Sequence, residues 1–202
     1  MNCTLSFAGW FLSPTRKIVD LLKGDAPDRR ARVLIKFSLG FIWFEVLSSV
    51  AVIGTELRFP LQNNLFVYGP LLLYAFSRCN EISYAFYNDA IRQLSSEPQT
   101  SMPTRKDRVV MTMRSYLGLT LNFALLYYFF PVEGLFKVKM NGLFDAVYFS
   151  GVTVTTLGYG EIVPIHWCSR AMVLYQVFTG ILLVVVAIGT YLGADANEPN
   201  PV

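Results

Sequence analysis

Apolar residues are concentrated in four long stretches, which shorter and more polar segments separate. The first runs from about 33 to 53, the second begins near 65, the third covers about 109 to 130, and the fourth is 171–192. The fourth contains no charged residue, and as a helix rising 1.5 Å per residue it crosses roughly 30 Å of hydrocarbon. The pattern predicts an all-α membrane protein with four transmembrane helices.

The second stretch is the weakest of the four. It is purely apolar only from 65 to 76, which falls short of the roughly 20 residues that a spanning helix needs. Apolar residues at helical spacing continue to about 91, and within that extension Arg78 and Glu81 lie three apart and can pair. We expect a spanning helix whose inner end projects into the cytoplasm. The alternative is a re-entrant hairpin, which would reverse the side of every later loop.

Basic residues orient these segments. With four spans and a cytoplasmic N-terminus, thirteen Lys and Arg residues lie at the inner face, and only Arg58, Lys137, Lys139 and Arg170 lie outside. The positive-inside rule then predicts a multi-pass protein of a plasma membrane or a bacterial inner membrane, with both termini in the cytoplasm. The segment between the third and fourth spans faces outward.

Composition changes this picture little, but it excludes some functions. The chain is 53% hydrophobic and 15% charged, and its net charge of +3 does not indicate a nucleic-acid surface. The three cysteines are far apart and only Cys168 is expected outside, so no disulfide is predicted. One histidine and scattered acids give an enzyme no catalytic constellation.

The outward segment contains a short helix followed by a glycine-rich string. Residues 143–156 predict about three helical turns with Asn141 as a cap, too short to cross a membrane, so the chain enters and returns on one side. Non-helical backbone at that depth is tolerated where it lines a water-filled path. Gly158 and Gly160 permit the φ values that aligned carbonyls require, and the Tyr159 ring between them can brace the loop. Carbonyl rows can replace the water around a monovalent cation.

"TVTTLGYGE", residues 153–161, resembles the potassium-channel signature T-x-x-T-x-G-Y-G-D. The resemblance implies an outer helix, a re-entrant pore helix, a selectivity filter and an inner helix in that order. It also implies a homotetramer, because one chain supplies one carbonyl strand and cannot encircle an ion. The alternative is a flexible turn between two membrane helices. The residues expected to coordinate K⁺ ions in single file are Thr156, Leu157, Gly158, Tyr159 and Gly160.

The topology and the resemblance together divide the chain into four regions. Residues 1–32 form a basic cytoplasmic segment, and 33–108 form a two-helix transmembrane hairpin with a cytoplasmic linker. Residues 109–193 are the pore domain, and 194–202 are a short cytoplasmic tail. The hairpin resembles no known family.

The filter region departs from the family pattern in two places. Glu161 replaces the usual Asp at the outer mouth, and Val152 stands where some relatives have a Glu that couples to it. No carboxylate pair forms there, so we expect the aromatic side chains of Tyr148 and Phe149 to support the filter. The pore helix also places Thr153 and Thr155 beside it.

Gly180 lies in the middle of the fourth stretch, where a glycine costs up to ~1 kcal/mol relative to alanine. The family often has a gating hinge at this place, and the alternative is close packing against a neighbouring helix. Four residues after it are candidates for a cavity lining or a hydrophobic gate. They are Ile181, Val184, Val185 and Ile188.

Two further residues each have two interpretations, and a third has one. Glu45 within the first span is either functional or simply paired, with Lys36 or with a polar group of another chain. His166 is either an external pH sensor or a solvated loop residue. Arg114 is expected to extend to the inner membrane surface.

The sequence thus predicts a potassium-selective channel that works without an organic cofactor and contacts membrane lipids. None of the first three spans carries the arginine series of a voltage sensor. The alternatives are a component of a K⁺ uptake transporter and a non-conducting modulatory membrane subunit.

Overall fold

The computed structural model describes residues 27–56, 65–94 and 105–192. Five helices account for most of them: α1 (Pro27–Glu56), α2 (Leu65–Leu94), α3 (Arg105–Phe129), α4 (Leu143–Val154) and α5 (Trp167–Leu192). Within these ranges there is no strand, and only an isolated antiparallel bridge joins Phe136 to Pro164. The predicted all-α architecture is confirmed. The expected N-terminal segment before 27, part of the linker and the C-terminal tail lie outside the described residues.

Three helices are long and apolar enough to cross a membrane, over Arg32–Thr55, Lys106–Phe129 and Trp167–Gly189. The α2 helix has 30 residues and therefore the required length, but it does not meet the same criterion of apolarity. Its second half carries charged side chains, including those of Arg78 and Glu81. That α2 is a fourth span remains a prediction, whereas its continuous extension beyond the apolar half is confirmed.

The α3 helix forms the centre of the fold. It packs against all four other helices, and its side chains at Leu119, Phe123, Ala124 and Leu125 are fully buried. Helices α1, α2, α4 and α5 each contact α3 directly. The helix that precedes the glycine-rich string is therefore fixed on the most buried element of the chain.

A polar cluster joins α1, α2 and α3 inside this bundle. Glu45 is only 1% exposed, and its Oε1 accepts hydrogen bonds from Arg78 Nε at 3.1 Å and from Asn122 Nδ2 at 2.8 Å. Arg78 also donates from Nη1 to Glu81 Oε2 at 2.6 Å, which confirms the pair predicted from their spacing. The suggested partner Lys36 is wrong: it is exposed, and Arg78 of α2 neutralises Glu45 instead.

One contact differs from the sequence expectations, and a second was not predicted. The cap residue of α4 is Gly142, without a side-chain hydrogen bond, so the prediction of Asn141 as the cap is wrong. Instead the Asn141 backbone N–H donates to Asp145 Oδ2 at 2.9 Å, which places a carboxylate in the first turn where the helix dipole favours it. Arg114 donates from Nη1 to Ser38 Oγ at 3.2 Å and thereby links α3 to α1.

Candidate functional site

The chain leaves the helix through a turn immediately after α4. Three successive backbone N–H groups donate to carbonyl oxygens near the end of α4: Thr155 to Gly151 at 3.2 Å, Thr156 to Thr153 at 3.0 Å and Leu157 to Val152 at 3.0 Å. These bonds satisfy carbonyls that the end of a helix otherwise leaves free. The segment that follows therefore starts at a fixed point, at the C-terminal and partly negative end of α4.

The sign of φ alternates along residues 156–160. Thr156, Gly158 and Gly160 have φ values of 58°, 57° and 82°, whereas Leu157 and Tyr159 are not among the positive-φ residues. The positive φ at both glycines agrees with the prediction from the sequence. The positive φ of Thr156 was not predicted, because a left-handed conformation costs an L-residue roughly 1–2 kcal/mol and is rarely adopted.

None of the described residues covers this segment. Residues 155–160 are all exposed, and an added Cβ atom at Gly158 or Gly160 would meet no atom within 4 Å. The Tyr159 side chain is 66% exposed, so within its own chain it does not brace the loop as expected. The conformation is thus set by the ends of the segment and by its glycines.

The two aromatic residues expected to support this segment have different partners. Tyr148 is part-exposed on α4 and donates from its hydroxyl to Glu161 Oε2 at 3.0 Å. Phe149 is buried and points the other way, where its ring lies edge-on to Tyr127 at 5.0 Å and to Phe136 at 5.1 Å. Tyr148 thus contacts the residue after the glycine-rich string, and Phe149 holds α4 on α3.

The two threonines of α4 differ in their surroundings. Thr153 is buried, whereas the exposed Thr155 donates from Oγ1 to the Gly151 carbonyl at 2.7 Å. The hydroxyl of Thr155 therefore acts within its own helix.

Gly180 lies directly against the end of α4. A Cβ atom added there would come within 2.8 Å of Val154 Cγ2 and 3.4 Å of the Val154 carbonyl oxygen. This contact is the close packing that the sequence offered as one of two explanations for Gly180. The four gate candidates that follow lie on the uncovered side of α5, each between 46% and 57% exposed: Ile181, Val184, Val185 and Ile188.

A buried hydrogen-bond network joins α4 to α3 and α5, and it was not predicted from the sequence. Gln176 of α5 donates from Nε2 to Ser150 Oγ at 2.7 Å and to the Ser150 carbonyl at 3.0 Å. Its Oε1 accepts from the Tyr127 hydroxyl at 2.7 Å, and Ser150 Oγ donates to the Thr120 carbonyl at 2.7 Å. The signal was present, since Gln176 is a rare strongly polar side chain within an uncharged apolar stretch.

The segments on either side of the site are tied together. Lys137 donates from its backbone to Val163 at 2.9 Å, and the Ser169 hydroxyl donates to the Leu135 carbonyl at 2.6 Å. His166 is half-buried, and its Nδ1 accepts from the Cys168 backbone N–H at 3.2 Å. The return segment is therefore held against the loop that precedes α4.

The described part of the chain contains no group of three His, Cys, Asp or Glu side chains arranged to hold a metal ion. The oxygen atoms available at residues 156–160 belong to the backbone and to the hydroxyl groups of Thr156 and Tyr159. Carbonyl and hydroxyl oxygens are hard ligands, which suit alkali cations.

Comparison with known proteins is consistent with this site. Residues 115–194 match the family model described as "Ion channel". The chain is also similar to the two-pore potassium channel 1 of Arabidopsis thaliana, with 34% identity over 105 residues. That alignment covers 48% of this chain and 28% of the relative, so the chain corresponds to a minor part of the plant protein. No solved structure matches the chain at a significant level.

Proposed function

We propose that this chain is one subunit of a potassium-selective channel that conducts K⁺ passively. The match of residues 115–194 to the ion-channel family and the similarity to a plant potassium channel support the proposal. The membrane character of α1, α3 and α5 supports a channel rather than a soluble module. The plant relative is called a potassium channel. For this chain, the proposed selectivity for K⁺ rests on its own residues 156–160.

The alternation of φ along residues 156–160 is the observation that carries the proposal. When the sign of φ alternates from residue to residue, the carbonyl groups of successive peptides can all face one side of the segment. Thr156, Leu157, Gly158, Tyr159 and Gly160 are then the residues that replace the hydration shell of K⁺. Glu161 forms the outer mouth.

Four chains are part of the proposal. One carbonyl strand cannot surround an ion, and residues 155–160 are exposed in the single chain. The uncovered apolar face of α5, around Ile181 and Val185, is available to pack against other copies or to line a central cavity. A cyclic homotetramer places the four strands around one axis. Exposed apolar residues of α1, such as Trp43 and Leu47, are then free to contact lipid.

The proposed topology has four spans, with α4 re-entrant and both termini in the cytoplasm. The α4 helix has 12 residues and is therefore about 18 Å long, too short for a span. The excess of basic residues at one face supports this orientation. The proposal does not include gating by an arginine-rich voltage sensor. Arg78 bonds Glu45 and Arg114 bonds Ser38, and the two arginines lie on different helices.

The test is ion flux into liposomes that contain the purified protein. We expect K⁺ to pass far faster than Na⁺ at equal gradients. Equal rates for the two ions would refute selectivity, and no flux of either ion would refute the channel function.

Gly158→Ala tests the filter assignment. Its positive φ strains any residue with a Cβ atom, although the space there is open. Gly134→Ala is the matched control, since Gly134 has a φ of 68° and equally open surroundings but lies in the loop between α3 and α4. We expect Gly158→Ala to abolish K⁺ flux with the tetramer intact, and Gly134→Ala to conduct. Equal flux in both variants would remove the assignment.

A further inference from the structure

The α2 helix lies outside the residues that match the ion-channel family, yet it contacts the inner helix α5 directly. Ser83 Oγ and Thr179 Oγ1 share a hydrogen bond at 2.8 Å, and the Tyr175 hydroxyl donates to Asn80 Oδ1 at 2.8 Å. Tyr175 and Thr179 are four residues apart, and Asn80 and Ser83 are three apart, so each pair lies on one face of its helix. The two helices are thus joined by two adjacent polar contacts.

The same part of α2 is fixed on its other side. Arg78, two residues before Asn80, bonds Glu45 of α1 at 3.1 Å, and Glu45 in turn accepts from Asn122 of α3 at 2.8 Å. Arg78 also lies over the Phe41 ring, with 3.9 Å between its Cζ and the ring centroid. Residues 80–83 therefore hold α5 from a stretch of α2 that is anchored to α1 and, through Glu45, to α3.

On α5, each contact with α2 is next to a contact with α4. Gln176 follows Tyr175 and donates to Ser150, and Gly180 follows Thr179 and packs on Val154. Val154 is the last residue of α4, immediately before the glycine-rich segment. A shift of α5 away from α2 would thus change the packing at the end of α4.

We propose that Asn80 and Ser83 are positioning residues that hold α5 against α4 and thereby set the fraction of time for which the pore conducts. The inference rests on the proposed channel function. It assigns a role to the hairpin formed by α1 and α2, which the family match leaves out. Ion selectivity should not change, because the contacts of Asn80 and Ser83 described above are with α5 and within α2, not with residues 156–160.

One polar atom at this interface has no partner. The Asn80 Nδ2 atom is buried and finds no hydrogen-bond partner among the described residues. An unpaired buried donor is unfavourable, so a displaced α5 that offers it an acceptor would recover part of the lost pairing. Two packings of similar free energy are what a two-state gate requires.

Ser83→Ala in liposomes is the first test, with Ser48→Ala as its matched control. Each serine also bonds a carbonyl of its own helix, Cys79 for Ser83 and Glu45 for Ser48, but Ser48 lies on α1 and takes no part in the hydrogen bonds between α2 and α5. We expect Ser83→Ala to change the open fraction about fivefold, the shift that one net hydrogen bond produces, with an unaltered K⁺ to Na⁺ permeability ratio. Ser48→Ala should conduct like the wild type. Equal open fractions in wild type and both variants would overturn the proposal.

Thr179→Ala extends this test to the other partner. If the two hydroxyls act through each other, the double variant Ser83→Ala with Thr179→Ala should change the open fraction no more than either single variant. Additive effects would overturn the role of this hydrogen bond.

A second measurement separates this inference from the channel function. Val184→Cys is introduced with Cys3 and Cys168 replaced by Ser, and its rate of reaction with a water-soluble maleimide is compared with and without Ser83→Ala. Val184 is 46% exposed on α5, so its labelling reports the position of that helix. If the wild type passes no K⁺, the proposed function fails and labelling alone decides the positioning role. A rate that changes at least about twofold, within the effect of one hydrogen bond, supports that role, and an unchanged rate overturns it.

Discussion

The Arg78 guanidinium of α2 and the Glu45 carboxylate of α1 meet at 3.1 Å, with both side chains almost fully shielded from solvent. Charged groups at membrane depth are rare unless they pair with one another. This contact explains how α2 can carry charged side chains and still pack within the bundle. It links the two helices that have no counterpart in the matched family region.

Arg78→Leu should destabilise the protein strongly. It leaves Glu45 and Glu81 without their shared cation, and loss of one partner from a buried pair costs about 3–5 kcal/mol. Thermal unfolding in detergent would show this as a lower midpoint temperature. Glu45→Gln should cost less, because a Gln carbonyl can still accept from Arg78 and Asn122. A stability of Arg78→Leu at or above that of Glu45→Gln would contradict the proposed pairing.

Gly118→Ala should be destabilising because of the same cluster. A Cβ atom at position 118 would collide with the Glu45 carboxylate, and overpacking a buried site costs roughly 1–3 kcal/mol. Gly40→Ala is the control, since nothing lies within 4 Å of its added Cβ atom. We expect Glu45→Asp to restore part of the loss in Gly118→Ala, measured by thermal unfolding. No difference between the two glycine variants would count against the contact.

Gly180→Ala separates the hinge hypothesis from the packing hypothesis. If contact with Val154 explains the glycine, Gly180→Ala should cost about 1–3 kcal/mol, and Val154→Ala should restore part of the stability and of the K⁺ flux. If Gly180 acts as a hinge, the flux defect should persist in the double variant. Flux and thermal stability measured together on the single and double variants decide between the two.

Tyr148→Phe should shorten the periods of conduction. It removes the hydroxyl that donates to Glu161 and keeps the ring, so the segment after the filter loses one of its tethers to α4. Single-channel recording would show briefer bursts at an unchanged permeability ratio. In a Tyr148→Phe background, Glu161→Ala should shorten the bursts little further. Bursts of wild-type length would show that the tether is dispensable.

Some contacts could be predicted from sequence because they depend on local geometry. Arg78 and Glu81 lie three residues apart on a helix, and helical pitch alone brings such side chains together. Gly158 and Gly160 adopt positive φ because they are the residues for which that conformation is not strained. The short α4 helix likewise follows from a brief apolar run ahead of the glycine-rich string.

Other contacts could not be predicted, because they join residues that are distant in the chain. The partner of Glu45 is Arg78, 33 positions away, and local charge patterning pointed to Lys36 instead. Gln176 was visible as a polar residue in an apolar stretch, but its bonds to Ser150 and Tyr127 exist only because three helices pack together.

By itself the sequence determined the helices and the glycines that adopt positive φ, because helical periodicity and backbone sterics act within a few residues. Only the tertiary structure decided that α2 bonds α5 through Ser83 and Thr179, and that Gly180 lies against Val154. Those contacts depend on which faces of the helices meet, and that choice is made by the packing of the whole bundle.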